Sequence, residues 1–345
     1  EKILQAICPF LSGSHFSVCE KAANCLLRVA SRKHAKNDEN TIVLALFGDV
    51  PMQSILTSAS TAASIGAVDI LHYRFLKALC DVLSALGIHL AEVWKEPPPN
   101  FEMYLRAIEA FISHPSIYLR NEAAAVYASF VSHHEIVEDE TFSNSLSRII
   151  PKIPRLLEKI GLPSAEDFEA SRYSQIDFDD DTEFSSFFVR YRDRLLKVVR
   201  GACDDRHITS LLSIIEDWIR KQCNSSPDTI SENEWAAMLR FLRVVLNECH
   251  SESLFDEAHY RVFTGLFDGV LMVLSSVTAP PSLINNLLSV LSAMFLILES
   301  CPDRITPILL LLRRFLLEEV EELSEEKSVK RHCLSVLLKL VTYYA

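Results

Sequence analysis

Apolar residues recur at steps of three and four along nearly the whole chain, as in the stripes Leu76, Leu79, Cys80, Leu83, Leu86, Leu90 and Leu239, Leu242, Val245, Leu246. That spacing lines one face of an α-helix, whereas a half-buried strand alternates at every second position. Only 8 glycines occur in 345 residues, so the tight hairpin turns of β folds are scarce. Pro, Gly, Asn, Asp and Ser gather at 37–40, 96–100, 113–116, 161–181, 224–232, 279–282 and 300–304, where helices should end. The expectation is about 13 or 14 helices of roughly 15–25 residues, with 161–181 the longest inter-helix loop.

Three segments superimpose: VCEKAANCLL at 18–27, LRNEAAAVYA at 119–128 and VKRHCLSVLL at 329–338. Each runs from an aliphatic residue through polar or charged positions into small apolar residues. This is the second-helix pattern of HEAT repeats, in which small residues let paired helices approach and charged positions face the rim. The starts lie 101 and 210 residues apart, close to two and five units of about 42 residues. His114-Pro115-Ser116 resembles the turn between paired helices. The fold class expected is therefore all-α, an α-α superhelix of about seven HEAT- or armadillo-like hairpins, continuous over 1–345. The alternative is a non-repeating helical bundle.

The formal net charge of −12 argues against a surface that binds nucleic acid everywhere but leaves room for a local basic groove. Nine cysteines with no C-x-x-C pair read as reduced, buried thiols of an intracellular protein, Cys19 and Cys25 among them as core residues. The longest apolar tract, 283–298, is interrupted by Asn285, Asn286, Ser289 and Ser292, too polar for a membrane span. The chain opens at Glu1-Lys2-Ile3-Leu4 as if inside a helix and stops at Thr342-Tyr343-Tyr344-Ala345 without a stop signal, so a piece of a longer protein is expected.

Nucleotide loops and nucleophile elbows need glycines at fixed offsets, and no G-x-G-x-x-G, G-x-x-x-x-G-K-[ST] or G-x-S-x-G string is present. No enzyme, cofactor or small-molecule substrate is expected. His133-His134-Glu135 is an adjacent run without an i, i+4 ligand pair and reads as a helix-end cap rather than a metal site.

Charge clusters are the remaining candidates. Asp177, Asp179, Asp180, Asp181 and Glu183 precede a stripe of Phe184, Phe187, Phe188, Tyr191, Leu195, Val198 and Val199. Asp180 and Glu183 have capping-box spacing, with Glu183 reaching back to the cap amide, so a helix starts near Asp181. Arg190, Arg194, Lys197 and Arg200 towards its end complement the macrodipole. The acidic run exceeds what a cap requires. Further on, Glu318 to Glu326 form an acidic turn before Lys327, Lys330 and Arg331, which share a helical face, with Arg313 and Arg314 on the hairpin partner. These, and the basic loop of Arg32, Lys33, His34 and Lys36, are candidate phosphate contacts.

Several ordered stretches resemble the exportin-5 family of karyopherin-β transport receptors: 24–33, Leu46-Phe47-Gly48-Asp49-Val50, His72-Tyr73 to Cys80, Ala85-Leu86-Gly87, FISHPSIYL at 111–119, Ile149-Ile150-Pro151-Lys152, Pro163-Ser164 and 174–188, then Glu234-Trp235 and Lys330-Arg331-His332. The resemblance implies a HEAT-repeat receptor that binds Ran-GTP in the nucleus. It would export double-stranded hairpin RNA with a 3′ overhang, chiefly microRNA precursors, through nucleoporin-lined pores, shuttling between nucleus and cytoplasm. GTP would enter only through Ran. By that resemblance Lys330 and Arg331 belong to the basic tunnel for the overhang, while the acidic run, Asp177 to Glu183, is a candidate contact with Ran's basic surface. The repeats giving most Ran contacts, and those closing the cargo cradle, would lie outside this stretch, and the 223–234 connection is shorter than the family's loop. The alternative is a karyopherin- or armadillo-like scaffold for protein cargo.

Overall fold

The computed structural model describes residues 2–13, 15–32, 39–64, 69–165, 169–224, 231–275, 281–299, 301–317 and 323–344. Among them every regular element is a helix, and they divide into two compact units, Glu1–Gly201 and Ala202–Ala345. The first unit contains α1 (Lys2–Ile7), α2 (Phe16–Ala30), α3 (Glu39–Leu46), α4 (Asp49–Ser64), α5 (Ile70–Glu92), α6 (Phe101–Ile112), α7 (Ile117–Phe130), α8 (His134–Val137), α9 (Glu140–Ile149), α10 (Ile153–Leu156), α11 (Glu169–Asp177) and α12 (Asp181–Gly201). The second contains α13 (Ile208–Asn224), α14 (Glu232–Ser251), α15 (Glu257–Ser275), α16 (Pro281–Ala293), α17 (Ile305–Leu317) and α18 (Leu323–Tyr344).

Each unit is built of two rows. In the first, α2, α5, α7 and α12 lie side by side in that order, while α4, α6 and α9 form the other row, α4 packing on α5 and α6 on α7. In the second unit α14, α16 and α18 form one row and α13, α15 and α17 the other, paired as hairpins α13–α14, α15–α16 and α17–α18. The three self-similar segments fall on α2, α7 and α18, which belong to the same kind of row. Their small residues, Ala22 and Ala23 on α2 and Ala123 and Ala124 on α7, are buried, which is what lets neighbouring helices approach. The expected HEAT- and armadillo-like all-α class is the one observed.

The breaks follow local chemistry. Ser116 takes the N-cap of α7 and accepts from the Leu119 amide at 3.3 Å, as the His114-Pro115-Ser116 turn requires. Asn100, in the left-handed region at φ 59°, starts α6 and donates from Nδ2 to Phe47 O and Asp49 Oδ1, both at 2.9 Å. That contact fastens the α3–α4 corner, a break the periodicity missed. So did the breaks before α5 and α9, each set by one aspartate cap: Asp69 accepts from Leu71 N and Asp139 from Phe142 N.

Two expectations are corrected. The stretch 161–181 is not one loop, since α11 occupies Glu169–Asp177, held by buried Ser171, Tyr173 and Ser174. Cys25 is exposed, and Cys223 and Cys301 are half-buried; the buried stripe of α2 is Cys19, Ala22, Ala23, Leu26 and Ala30, and Cys25 falls outside it. His133 closes the end of α7 through its own backbone N–H to Phe130 O, and His134 and Glu135 open α8. No helix among the described residues is long and apolar enough to cross a membrane. Among them, too, no three His, Cys, Asp or Glu side chains gather as a metal site.

Candidate nucleic-acid interface

The acidic stretch ahead of α12 is mostly engaged within the fold. Asp180 is the N-cap, its Oδ1 accepting from Thr182 N at 2.7 Å and Glu183 N at 2.8 Å. Glu183 reaches back, as a capping box does, but to the amide of Asp179 at 2.8 Å rather than to that of the cap residue. Asp181 accepts from the amide and hydroxyl of Ser164 at 3.0 and 2.5 Å, which hold its carboxyl below the usual carboxylate range. Asp180→Ala is expected to destabilise the first unit by about 1 kcal/mol, read as a lowered urea midpoint at unchanged m-value.

Asp177 is the sharpest departure from the sequence reading. Its side chain is only 2% exposed; it accepts from Lys77 Nζ at 2.7 Å and from the Tyr73 hydroxyl, both on α5. It ends α11 and bolts that helix to α5, so its carboxylate is not presented to a partner. Asp179 and Asp180 remain exposed. With Asp181, Pro163, Ser164 and Gln175 they line an open depression of about 530 Å³.

Two cations on this row of the first unit, Lys77 and Arg194, are likewise engaged. Lys77 lies 3.9 Å over the Tyr118 ring, and Arg194 pairs with Glu122 at 3.6 Å and donates to Asn121 O at 3.2 Å. Beside them burial pushes Asp81 up to about 6, against the hydrogen bond it accepts from the Tyr118 hydroxyl. A carboxyl whose pKa is higher folded than unfolded loses stability as pH rises from about 4 through 6. Asp81→Asn should remove that slope and leave the first unit about 1–2 kcal/mol more stable at pH 7, measurable by urea titration at pH 4.5 and 7.

On α18 Lys327 and Arg331 are exposed and, with Ser328, His332 and Ser335, line an open depression of about 510 Å³. Lys330, one position along, is half-buried. Two of the polar residues that interrupt α16, Asn285 and Ser289, face this helix with their side chains. Asn285 donates to Ser328 Oγ at 3.2 Å, Ser289 Oγ and His332 Nε2 hydrogen-bond at 3.0 Å, and Lys339 Nζ donates to Ser292 O at 2.5 Å. Burial, then the charge of Arg243 on α14, lower the pKa of both His332 and Lys339. Arg243 therefore converges with α18 across α16. Arg240, one turn earlier on α14, is exposed with it. Between Trp235 and Asn247 the helix carries no carboxylate, and α16 carries none at all.

Arg240, Arg243 and Lys339 were missed by the sequence reading. Their signal was the stripe Leu239, Leu242, Val245 and Leu246, which leaves Arg240 and Arg243 facing outward. Among the described residues no ion pair to a carboxylate is made by Arg240, Arg243, Lys327, Arg331 or Lys339. The other candidates lie apart. Arg314 donates to the carbonyls of Ser275 at 2.8 Å and Leu274 at 3.2 Å, capping the end of α15. Arg313 is exposed on α17, in the other row. Arg32 is exposed after α2, and Lys33, like Glu318 to Glu322, is outside the described residues.

Two rows of helices, packed hairpin by hairpin within each unit, define an α-helical repeat protein of the HEAT and armadillo class. A family profile described as Exportin-5 matches residues 71–343, and the chain belongs to that family. It is 31% identical over 382 aligned residues to Exportin-5 of Homo sapiens, covering 99% of this chain and 30% of the human protein. Exportin-5 of Dictyostelium discoideum is 27% identical over 185 residues, covering 53% of this chain and 16% of that protein. The chain thus spans about a third of the human relative's length. Among solved structures, Kap121p bound to Nup53p matches with a TM-score of 0.57 at 14% identity over 98% of this chain and 29% of that one, a likeness of fold.

Proposed function

We propose that this chain is the central part of a nuclear export receptor that shuttles between nucleus and cytoplasm and carries hairpin RNA with a 3′ overhang, microRNA precursors in particular, in company with Ran-GTP. The observation that carries the RNA reading is the basic row on α14 and α18, Arg240, Arg243, Lys327, Arg331 and Lys339, exposed without carboxylate partners on a chain of net charge −12. A-form RNA hides its base edges in a deep groove, so a carrier holds the stem by phosphates and shape. Helix-borne guanidinium and ammonium groups supply those contacts. The depression walled by Asp179, Asp180 and Asp181 is the proposed contact for basic residues of Ran. The role is binding and transport, with GTP entering only through Ran and nucleoporins as pore partners.

Protein cargo is the second reading, favoured by the acidic balance of the whole chain. Filter binding of a hairpin with a two-nucleotide overhang to the full-length receptor separates the two. Lys327→Glu with Arg331→Glu should weaken binding about 10-fold or more and lower the salt slope by roughly 1.4–1.8 units, the loss of two phosphate contacts. Unchanged affinity and slope would remove α18 from the RNA interface.

A further inference from the structure

The first unit holds a cleft that the basic row does not use. It opens between a short 3₁₀ helix, Cys8–Ser12, the start of α2, the second half of α4 and the start of α5. Its volume is about 260 Å³. The floor is apolar and fixed: Leu11, Cys19, Ala62 and Phe75 are each at most 5% exposed, and the Cys19 thiol donates to Gly13 O at 3.3 Å. The wall is aromatic. The Phe16 ring lies 3.9 Å from that of His72 and 6.4 Å from that of Phe75, edge to face with the latter. Phe10 and Leu71, next in sequence to Leu11 and His72, are exposed and extend the apolar surface beyond the cleft.

The polar groups of the lining are directed by their partners. Thr61 Oγ1 donates to Thr57 O at 2.9 Å and Ser12 Oγ to Pro9 O at 3.3 Å, so both hydroxyls spend their protons on the backbone. His72 Nδ1 lies 2.7 Å from Oδ2 of Asp69, the N-cap of α5. Two lone pairs cannot approach so closely, so the proton sits on Nδ1, and Nε2 of the neutral ring is left as an acceptor. An apolar cleft with a few directed polar groups is the usual form of a ligand site. A cavity of about 150 Å³ admits a benzene ring, so this cleft has room for a ring with a polar substituent. We propose that it receives the tyrosine side chain of a partner peptide, the ring seated against Phe16 and Phe75 and the phenol O–H donating to His72 Nε2. The aromatic wall favours another ring in offset or edge contact. The free acceptor requires a donor, which tyrosine carries and phenylalanine lacks. Phe10 and Leu71 give apolar residues on either side of the tyrosine a surface to cover.

The test is saturation-transfer NMR on the whole chain with the blocked pentapeptide Gly-Ser-Tyr-Ser-Gly and its counterpart carrying phenylalanine at the centre. The tyrosine peptide should bind about 5-fold more tightly, the effect of one hydrogen bond in a half-buried site. His72→Phe keeps a ring in the wall and removes the acceptor, so it should bring the two peptides level. Thr61→Trp, made at an exposed position in the cleft lining, should fill the cleft without disturbing the core and abolish transfer to both peptides. Absence of transfer to the tyrosine peptide, equal affinity of the unmodified chain for the two peptides, or transfer that survives Thr61→Trp would each overturn the proposal. None of these outcomes depends on RNA binding.

Discussion

Gly87→Ala is expected to destabilise the first unit by about 2–4 kcal/mol. Gly87 sits in the middle of α5, where glycine costs a helix about 1 kcal/mol relative to alanine, so an alanine should help if space allowed. It does not. A Cβ at this position would stand 1.9 Å from the Tyr104 hydroxyl and 2.8 Å from Val126 Cγ1. Tyr104, fully buried on α6, donates that hydroxyl to Leu83 O at 2.9 Å, one turn before Gly87. The glycine is the notch through which α6 and α7 close on α5. Displacing the ring would sacrifice a buried hydrogen bond and separate three packed helices. Equilibrium urea unfolding should show a lower midpoint with the same slope; stability equal to the parent would mean that the helices are not this closely packed.

The second large effect concerns the basic row. Arg240→Glu with Arg243→Glu should weaken hairpin RNA binding by the full-length receptor about 10–100-fold and lower the salt slope by about 2 units. Both side chains are exposed and unpaired, so stability should change by less than about 0.5 kcal/mol. Arg261→Glu, a single change of −2 in charge against −4 for the pair, is the control for position, since Arg261 is exposed on α15 in the other row, with Glu257 at 2.5 Å. It should leave RNA affinity within about two-fold. Equal losses from both variants would indicate that net charge matters and position does not.

How legible these features were in the sequence differs case by case. The helices and the membership of α2, α7 and α18 in one kind of row were readable because period and small-residue placement are local properties. So was the start of α12, where Asp180 and Glu183 act within one turn. Asp177 was misread because its partners, Tyr73 and Lys77, arrive from about 100 residues away; nothing local distinguishes a buried aspartate from its exposed neighbours at 179 and 180. Arg243 was overlooked for the same reason, since its field reaches His332 and Lys339 only because α16 lies between α14 and α18. Asn285 and Ser289 of α16, read as mere interruptions of an apolar tract, form a polar seam against α18. The breaks at Asp69 and Asp139 were lost because a single carboxylate suffices to cap a helix and leaves no cluster to notice.

The most direct test of the central claim is photocross-linking of 4-thiouridine-substituted hairpin RNA to the full-length receptor with Ran-GTP, followed by peptide mass spectrometry. Cross-links concentrated on α14 and α18, around Arg240, Arg243, Arg331 and Lys339, are the predicted result. Cross-links confined to α13, α15 and α17, with α14 and α18 unmodified, would contradict it.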